Sequence, residues 1–381
     1  MAKESPSHRD LTSRVGPNRH RLVLLACTAV VGAACSGVIG GSSATASTEA
    51  VDDGPATSAI GSTVTTPPAS ITTVSVSTPP SPESYQLTAY PVPDGSHPHD
   101  VAPALAGGVW YTAQGSGELG LLDPATGATE HIDLGPGSRP HGVITDPSGA
   151  VWITDGGLDA IVRVDASTHE VTVFPLLDEH GDAKLNTAAF DENGDLWFTG
   201  QSGIVGRLDT STGAMAVFDA PGGRGPYGIT STPSGSLFFT SLAGSYLGEV
   251  ATDGSVTVIE PPTPDQGARR VWSASDGALW ISEWNSGNVS RYQPATGQWS
   301  TWRLPGETPQ AYAVYVDEFD VVWLSDFGSN AMLSFDPQTE QFHTYPLPHQ
   351  SGEVRQIHGR PGEVWGAESA ADHLVLISFS D

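Results

Sequence analysis

From residue 85 onward, short apolar runs alternate with polar breaks rich in Gly, Asp, Asn, Ser and Pro. Runs this short, punctuated by turn residues, predict β-strands in antiparallel hairpins. The pattern also repeats. GGVWYTA, GAVWITD, GDLWFTG, GSLFFTS, GALWISE, DVVWLSD and GEVWGAE are seven copies of one segment. Their anchor aromatics are Trp110, Trp152, Trp197, Phe238, Trp280, Trp323 and Trp365, spaced 42, 45, 41, 42, 43 and 42 residues apart. Each copy reads as an apolar strand, a turn such as Asp146-Pro-Ser-Gly, the anchor strand, a third strand and a fourth. Four strands in roughly 40–45 residues is the period of a β-propeller blade. The expected fold is all-β: a seven-bladed β-propeller of four-stranded antiparallel blades.

The end of the chain tests this reading. Only 16 residues follow Trp365, enough for one more strand and not two. YQLTAYPV, at 85–92, has the character of an outer strand. It is predicted to complete the last blade, close the ring and remove its open edges. The anchor aromatics then pack between blades, where large rings bury most area.

The segment before residue 84 is different. Basic residues precede the apolar run Leu22–Ala34, which ends in Gly-Ala-Ala-Cys35. This has the anatomy of an export signal, and the Cys after two alanines resembles a bacterial lipoprotein signal. Residues 36–83 hold 19 Ser/Thr and 6 Pro and have no aromatic residue. Such a stretch cannot bury enough apolar area to offset its ordering entropy. The expected organisation is an export signal over 1–35, a disordered linker over 36–83 and a propeller over 84–381. The protein is expected to be exported, extracytoplasmic and attached to the membrane only through a lipid anchor on Cys35. It is read as a monomer.

Charge narrows the partners. Sixteen Lys and Arg stand against 43 Asp and Glu, a formal net charge of −27. Nucleic acid is excluded, because phosphate recognition needs a basic face. Both cysteines, Cys27 and Cys35, fall in the N-terminal segment, so the folded body has no disulfide framework or Cys-ligated zinc.

Function lies where the copies differ. Eleven residues before each anchor stand His99, His141, Asn186, Tyr227, Arg269, Tyr312 and, after a one-residue deletion in the last copy, Val354 or Arg355. These begin the inner strands and should ring one mouth of the channel. Three residues after the anchors come Ala113, Asp155, Gly200, Ser241, Glu283, Asp326 and Glu368. Four carboxylates are thereby expected near the same mouth, where with His nearby they could hold a hard divalent cation or poise a base. The alternative is a solvated acidic rim. His349 and the other outer histidines receive no role.

The repeat PHGVITDPSGAVWITD…IVRVD, with its variant PYGITSTPSGSLFFTS, resembles the streptogramin B lyase (virginiamycin B lyase) family across about 84–381. The resemblance implies a carbon–oxygen lyase acting in antibiotic resistance. Such a lyase opens a cyclic depsipeptide by β-elimination across its ester. It further implies a divalent metal, usually magnesium, on glutamates of the last blade, here Glu353 and Glu368. A base His is expected two residues after the first glutamate, where this chain has Arg355. A second His is expected on the preceding blade, where this chain has Tyr312. His99 stands where the family has Tyr. The catalytic candidates are therefore His99, Arg355 and His358, although strand alternation turns His358 away from Arg355's side. His141, Tyr227, Arg269 and Tyr312 are candidate substrate-binding residues, for a small cyclic ester or peptide. Two other functions stay open. One is a non-catalytic exported ligand-binding propeller. The other is a metal-dependent lactone hydrolase, hinted at by Asn186 with Glu353.

Overall fold

The structure, a computed structural model, describes residues 79–379. The expected export signal and most of the expected linker, up to residue 78, lie outside the described residues. Seven four-stranded antiparallel sheets account for all 28 strands, and no α-helix occurs among the described residues. The inner strands are Pro98–Pro103, Pro140–Thr145, Leu185–Phe190, Pro226–Ser231, Ala268–Ser273, Ala311–Val316 and Val354–Arg360. Each packs beside the next around an axis, and the last meets the first. The seven-bladed propeller read from the repeat is the observed fold.

The closing strand is also as expected. Tyr85–Pro91 pairs antiparallel with His373–Phe379, from Tyr85 opposite Phe379 to Pro91 opposite His373. It is the outer strand of blade seven, whose other three strands come from the opposite end of the chain.

The anchor aromatics hold the blades together. All seven are at least 98% buried. Each joins the apolar cluster of the following blade: Trp110 packs with Val143, Val151 and Ile153 of blade two, and Trp152 with Leu185, Leu196 and Phe198 of blade three. The series runs round to Trp365, which packs on Val101, Val109 and Tyr111 of blade one. The Asp turns serve the same packing. Asp146 accepts from the amides of Ser148 and Ala150 and from Trp152 Nε1 at 2.9 Å. Asp191 and Asp317 do the same for Trp197 and Trp323. These three indole N–H groups, buried between blades, thus keep their hydrogen bonds, whereas the Trp110 Nε1 has none.

One irregularity recurs in all seven blades. The inner strand carries one extra residue against its neighbour, between Pro98 and Val101 in blade one and between Val354 and Ile357 in blade seven. Equivalent register shifts occur in blades two to six. A bulge re-aims the side chains on it, and here it falls on the residues that ring the channel.

Replacing Trp365 by Ala removes the contact that joins the last blade to the first. The expected cost is about 3–5 kcal/mol, measured as a lower urea midpoint with single-transition unfolding retained.

Candidate functional site

The pairing pattern settles the register of blade seven. Val354 opposes Glu368 as Ala311 opposes Asp326, so Arg355 holds the place of Tyr312. The missing residue falls in the turn that follows. Val354 is buried in the apolar core, whereas Arg355 lies beside the rings of Tyr312 and Phe327, at 5.8 and 6.0 Å from their centroids. The ring is therefore His99, His141, Asn186, Tyr227, Arg269, Tyr312 and Arg355.

Its members touch one another. The imidazoles of His99 and His141 stack with centroids 3.8 Å apart. His141 Nδ1 lies 3.1 Å from the Asn186 carbonyl, and its Nε2 lies 3.2 Å from the Asn186 amide. The hydroxyls of Tyr227 and Tyr312 meet at 2.7 Å. Arg269 donates to Tyr227 Oη at 2.9 Å, with its guanidinium carbon 3.5 Å from the Tyr312 ring centroid. The opposite face of Tyr312 is stacked on Phe327, at 4.6 Å. Residues more than 250 positions apart in the chain thus share one opening.

Immediately beneath lies a layer that the sequence reading missed. The bulge turns the next residue inward too, and in blades one and five that residue is charged. Asp100 and Arg270 cross the channel as a bidentate ion pair at 2.9 and 3.2 Å, both side chains at least 95% buried. Arg270 also donates to Thr187 Oγ1 at 2.7 Å, and His99 Nδ1 lies 2.8 Å from Asp100 Oδ1. The signal was present: opposite charges stand at a position that is otherwise Gly, Thr, Ala or Gln. A cavity of about 40 Å³ lies below the pair, lined by Gln356, Trp272 and His358 among others. His358 was expected to turn away from Arg355's side. The extra residue of the bulge reverses that parity, so His358 faces the channel, one layer below the ion pair.

The carboxylate series behaves differently from the expectation. Asp155, Glu283, Asp326 and Glu368 do stand at the mouth end of their strands, but they point into the loops. Asp155 accepts from the amides of Arg139, Gly157 and Leu158 and from Ser138 Oγ. Asp326 accepts from the amides of Gln310, Gly328 and Ser329. Glu283 accepts from the side chains of Ser286, Asn288 and Ser290. These are loop caps, because buried carboxylates are retained where several donors satisfy them. Glu368 is the exception. Its Oε2 meets His349 Nδ1 at 2.8 Å, giving His349 a partner where none was expected. Its Oε1 is buried without a partner.

Glu353 sits at the lip with positive φ and pairs with Arg355. Glu353 and Glu368 carry oxygens of the kind a divalent ion takes, and each carboxylate already has a partner, in Arg355 and His349 respectively. The orphaned Glu368 Oε1 faces Gly352, the residue before Glu353, so the two glutamates stand on neighbouring segments of blade seven. Among the described residues, one trio of potential ligands converges elsewhere: His99, Asp100 and His141, whose ligand atoms lie within 4.8 Å of one another. Arg270 already occupies both Asp100 oxygens there, and the pair is charge-balanced.

Burial dominates the electrostatics of the imidazoles. His99 titrates well below the ordinary imidazole range, through desolvation first and then the charges of Arg270, Arg355 and Arg269. His141 is lowered by burial and by His99. His358 is pushed down to about 4 by burial. All three are neutral near pH 7. Burial pushes the Tyr312 phenol up, but Arg269, Arg270 and Arg355 together outweigh it and hold the group below its usual value.

Fold and site define a seven-bladed propeller with one differentiated channel mouth. Residues 144–380 match the family model described as the virginiamycin B lyase family, and the chain belongs to that family. A curated virginiamycin B lyase from Nocardia farcinica (strain IFM 10152) is 32% identical over 105 residues, covering 27% of this chain. The match spans about a third of that relative's length, 36%. A solved streptogramin B lyase superposes with a TM-score of 0.72 at 22% identity, over 78% of this chain and 98% of the other. A catalytically inactive variant of the Staphylococcus aureus virginiamycin B lyase, solved with quinupristin, gives 0.71 at 21% identity, over 78% of this chain and all of the other. At that identity the superpositions show a shared fold.

The neutral histidines set a sign for stability against pH. Free imidazole titrates near about 6.5, so below that value the unfolded chain takes up protons that the folded chain refuses. Their contribution is complete above about pH 6.5 and is lost as the pH falls through the folded values. Asp317, pushed up to about 6 by burial, acts in the opposite sense. Replacing His358 by Phe isolates one share. Between pH 7.5 and 5 the melting temperature of this variant is expected to fall less than the parent's, by the equivalent of roughly 2 kcal/mol.

Proposed function

We propose that this protein is a carbon–oxygen lyase that opens a cyclic depsipeptide or related ester by β-elimination, with His99 as the base. The observation that supports this most is the buried Asp100–His99 pair at the ring. With Nδ1–H directed at Asp100, the neutral imidazole presents Nε2 as its proton acceptor. Burial and three nearby guanidiniums keep it unprotonated, as a base must be. Arg270 fixes Asp100, and so fixes the ring it orients.

The step needs neither water nor an oxidant. His99 Nε2 takes the α-proton, the Cα–H electrons form the Cα=Cβ bond, and the Cβ–O bond breaks. The ester oxygen leaves as a carboxylate. Arg355 lies beside Tyr312 at the lip, where its positive charge opposes negative charge developing on the substrate carbonyl. It replaces the His that the family resemblance places there, and a guanidinium that keeps its proton at any ordinary pH has no role as base. His141 walls the other side of His99, and Tyr227 and Tyr312 form the rim that a substrate meets.

Glu353 and Glu368 would hold a divalent ion, and magnesium suits their hard oxygens. When bound, it supplies further positive charge against the polarised carbonyl. On this reading the protein works as a monomer outside the cytoplasm, tethered through a lipidated Cys35 and the 36–83 segment.

A second reading has its own support. His99 and His141 expose only 3% and 8% of their surface. That degree of burial favours a non-catalytic exported propeller that recognises its ligand at the rim. The lactone-hydrolase reading loses its support, because Asn186 spends its side chain on His141 and Thr187.

The readings separate on quinupristin. An elimination product has the mass of the substrate, whereas hydrolysis adds one water. Isomeric ring opening by mass spectrometry is expected, falling about 10²–10⁴-fold in His99→Ala. Full activity in that variant, or uptake of water, would refute the mechanism. Binding without turnover would select the second reading.

Magnesium is expected to raise the melting temperature of the parent. Glu368→Gln should abolish the rise, and Arg355→Ala, which frees Glu353, should enlarge it. No magnesium-dependent shift in the parent would remove the ion from the site.

A further inference from the structure

The channel mouth gathers arginines in an otherwise acidic chain. Of only 16 Lys and Arg against 43 acids, three arginines gather around Tyr312. Arg270 is matched by Asp100 and Arg355 by Glu353. Arg269 is matched by nothing of opposite charge among the described residues. Its guanidinium donates to Tyr227 Oη and otherwise faces rings. Its central carbon lies 3.5 Å from the centroid of Tyr312, 4.6 Å from that of Tyr227 and 4.8 Å from that of Trp284. The Nε atoms of Arg269 and Arg355 are both buried with no hydrogen-bond partner.

A cation half withdrawn from water, with an N–H to spare and no counter-charge, is costly to keep. Cation–π contacts offset part of that cost, yet they leave the donors unsatisfied. The ligand that satisfies both is an anion. A guanidinium fork matches a planar carboxylate through two parallel N–H···O bonds. The surroundings say what the carboxylate is attached to, since Trp284, Tyr312 and Phe327 make an aromatic wall beside it.

We infer that the mouth contains a carboxylate subsite, with Arg269 as its principal ligand-binding residue and Arg355 as the second, for a ligand carrying an aromatic or apolar group next to the acid. The inference borrows from the proposed lyase only the identity of that acid. Elimination turns an ester oxygen into a free carboxylate, and this subsite receives it. The ring-opened product is then held more tightly than the closed substrate, so product release limits turnover and added product inhibits.

The test uses the full chain and two probes, the linear peptide acid acetyl-Thr-Phe and its C-terminal amide. Trp284 borders the subsite, so intrinsic fluorescence reports occupancy, with calorimetry as a check. The acid is expected to bind about tenfold more tightly than the amide, with the gap shrinking as salt is raised. Arg269→Gln should erase the gap, and Arg269→Lys, which keeps the charge without the fork, should restore part of it. Equal binding of acid and amide by the parent, or a gap that survives in Arg269→Gln, would overturn the subsite. An acid preference that persists in a protein with no turnover of quinupristin supports the subsite and rejects the lyase reading alone.

Discussion

Everything at the mouth depends on ring closure. The pairing of Tyr85–Pro91 with His373–Phe379 makes blade seven a full sheet, and the packing of Trp365 on blade one joins that sheet to the start of the ring. Without these two contacts, blade one and blade seven would be opposite ends of an open array, and His99 would have no fixed relation to Arg355 or Glu353. The chemistry proposed for the mouth spans that seam. Sheet edges are therefore not only an aggregation hazard that closure removes. Here closure is also what brings the two halves of a site together.

The second organising feature is the buried Asp100–Arg270 pair. Two charges taken out of water seldom add net stability compared with apolar packing, although removing one alone is costly. The reason to keep such a pair is what it positions. It spans the axis from blade one to blade five, fixes His99 through Asp100 and reaches Thr187 through Arg270. It also divides the channel into the mouth above and a small cavity below that holds His358. The imidazoles on either side stay neutral because both are buried.

Much of this was legible in the residues, and the limit has a physical cause. Blade number, closure and the place of the tryptophans follow from repetition, because identical packing in each blade leaves an identical mark. The ring from His99 to Tyr312 was legible for the same reason. Arg355 became certain only when strand pairing put the deletion after it. The Asp100–Arg270 layer was missed because simple alternation turns every second residue away, and the bulge breaks that rule. The carboxylates were misread in the other direction. Asp155 and Asp326 each precede a Gly-containing turn, and short acids in such places accept backbone amides. Sequence position put them at the mouth, but hydrogen bonding turned them into the loops. The bond from His349 to Glu368 joins an outer turn to an anchor strand, and no local pattern announces it.

The seam has one more implication. Because the first and last strands of the ring lie side by side, the covalent break in the circle carries no architectural meaning. The order of blades about the axis defines the opening; the point at which the chain enters the ring does not. Circular permutants with new ends in another inter-blade loop would present the same seven side chains to a ligand. Selection can therefore retune this protein one petal at a time, exchanging a single rim residue while the scaffold beneath stays as it is.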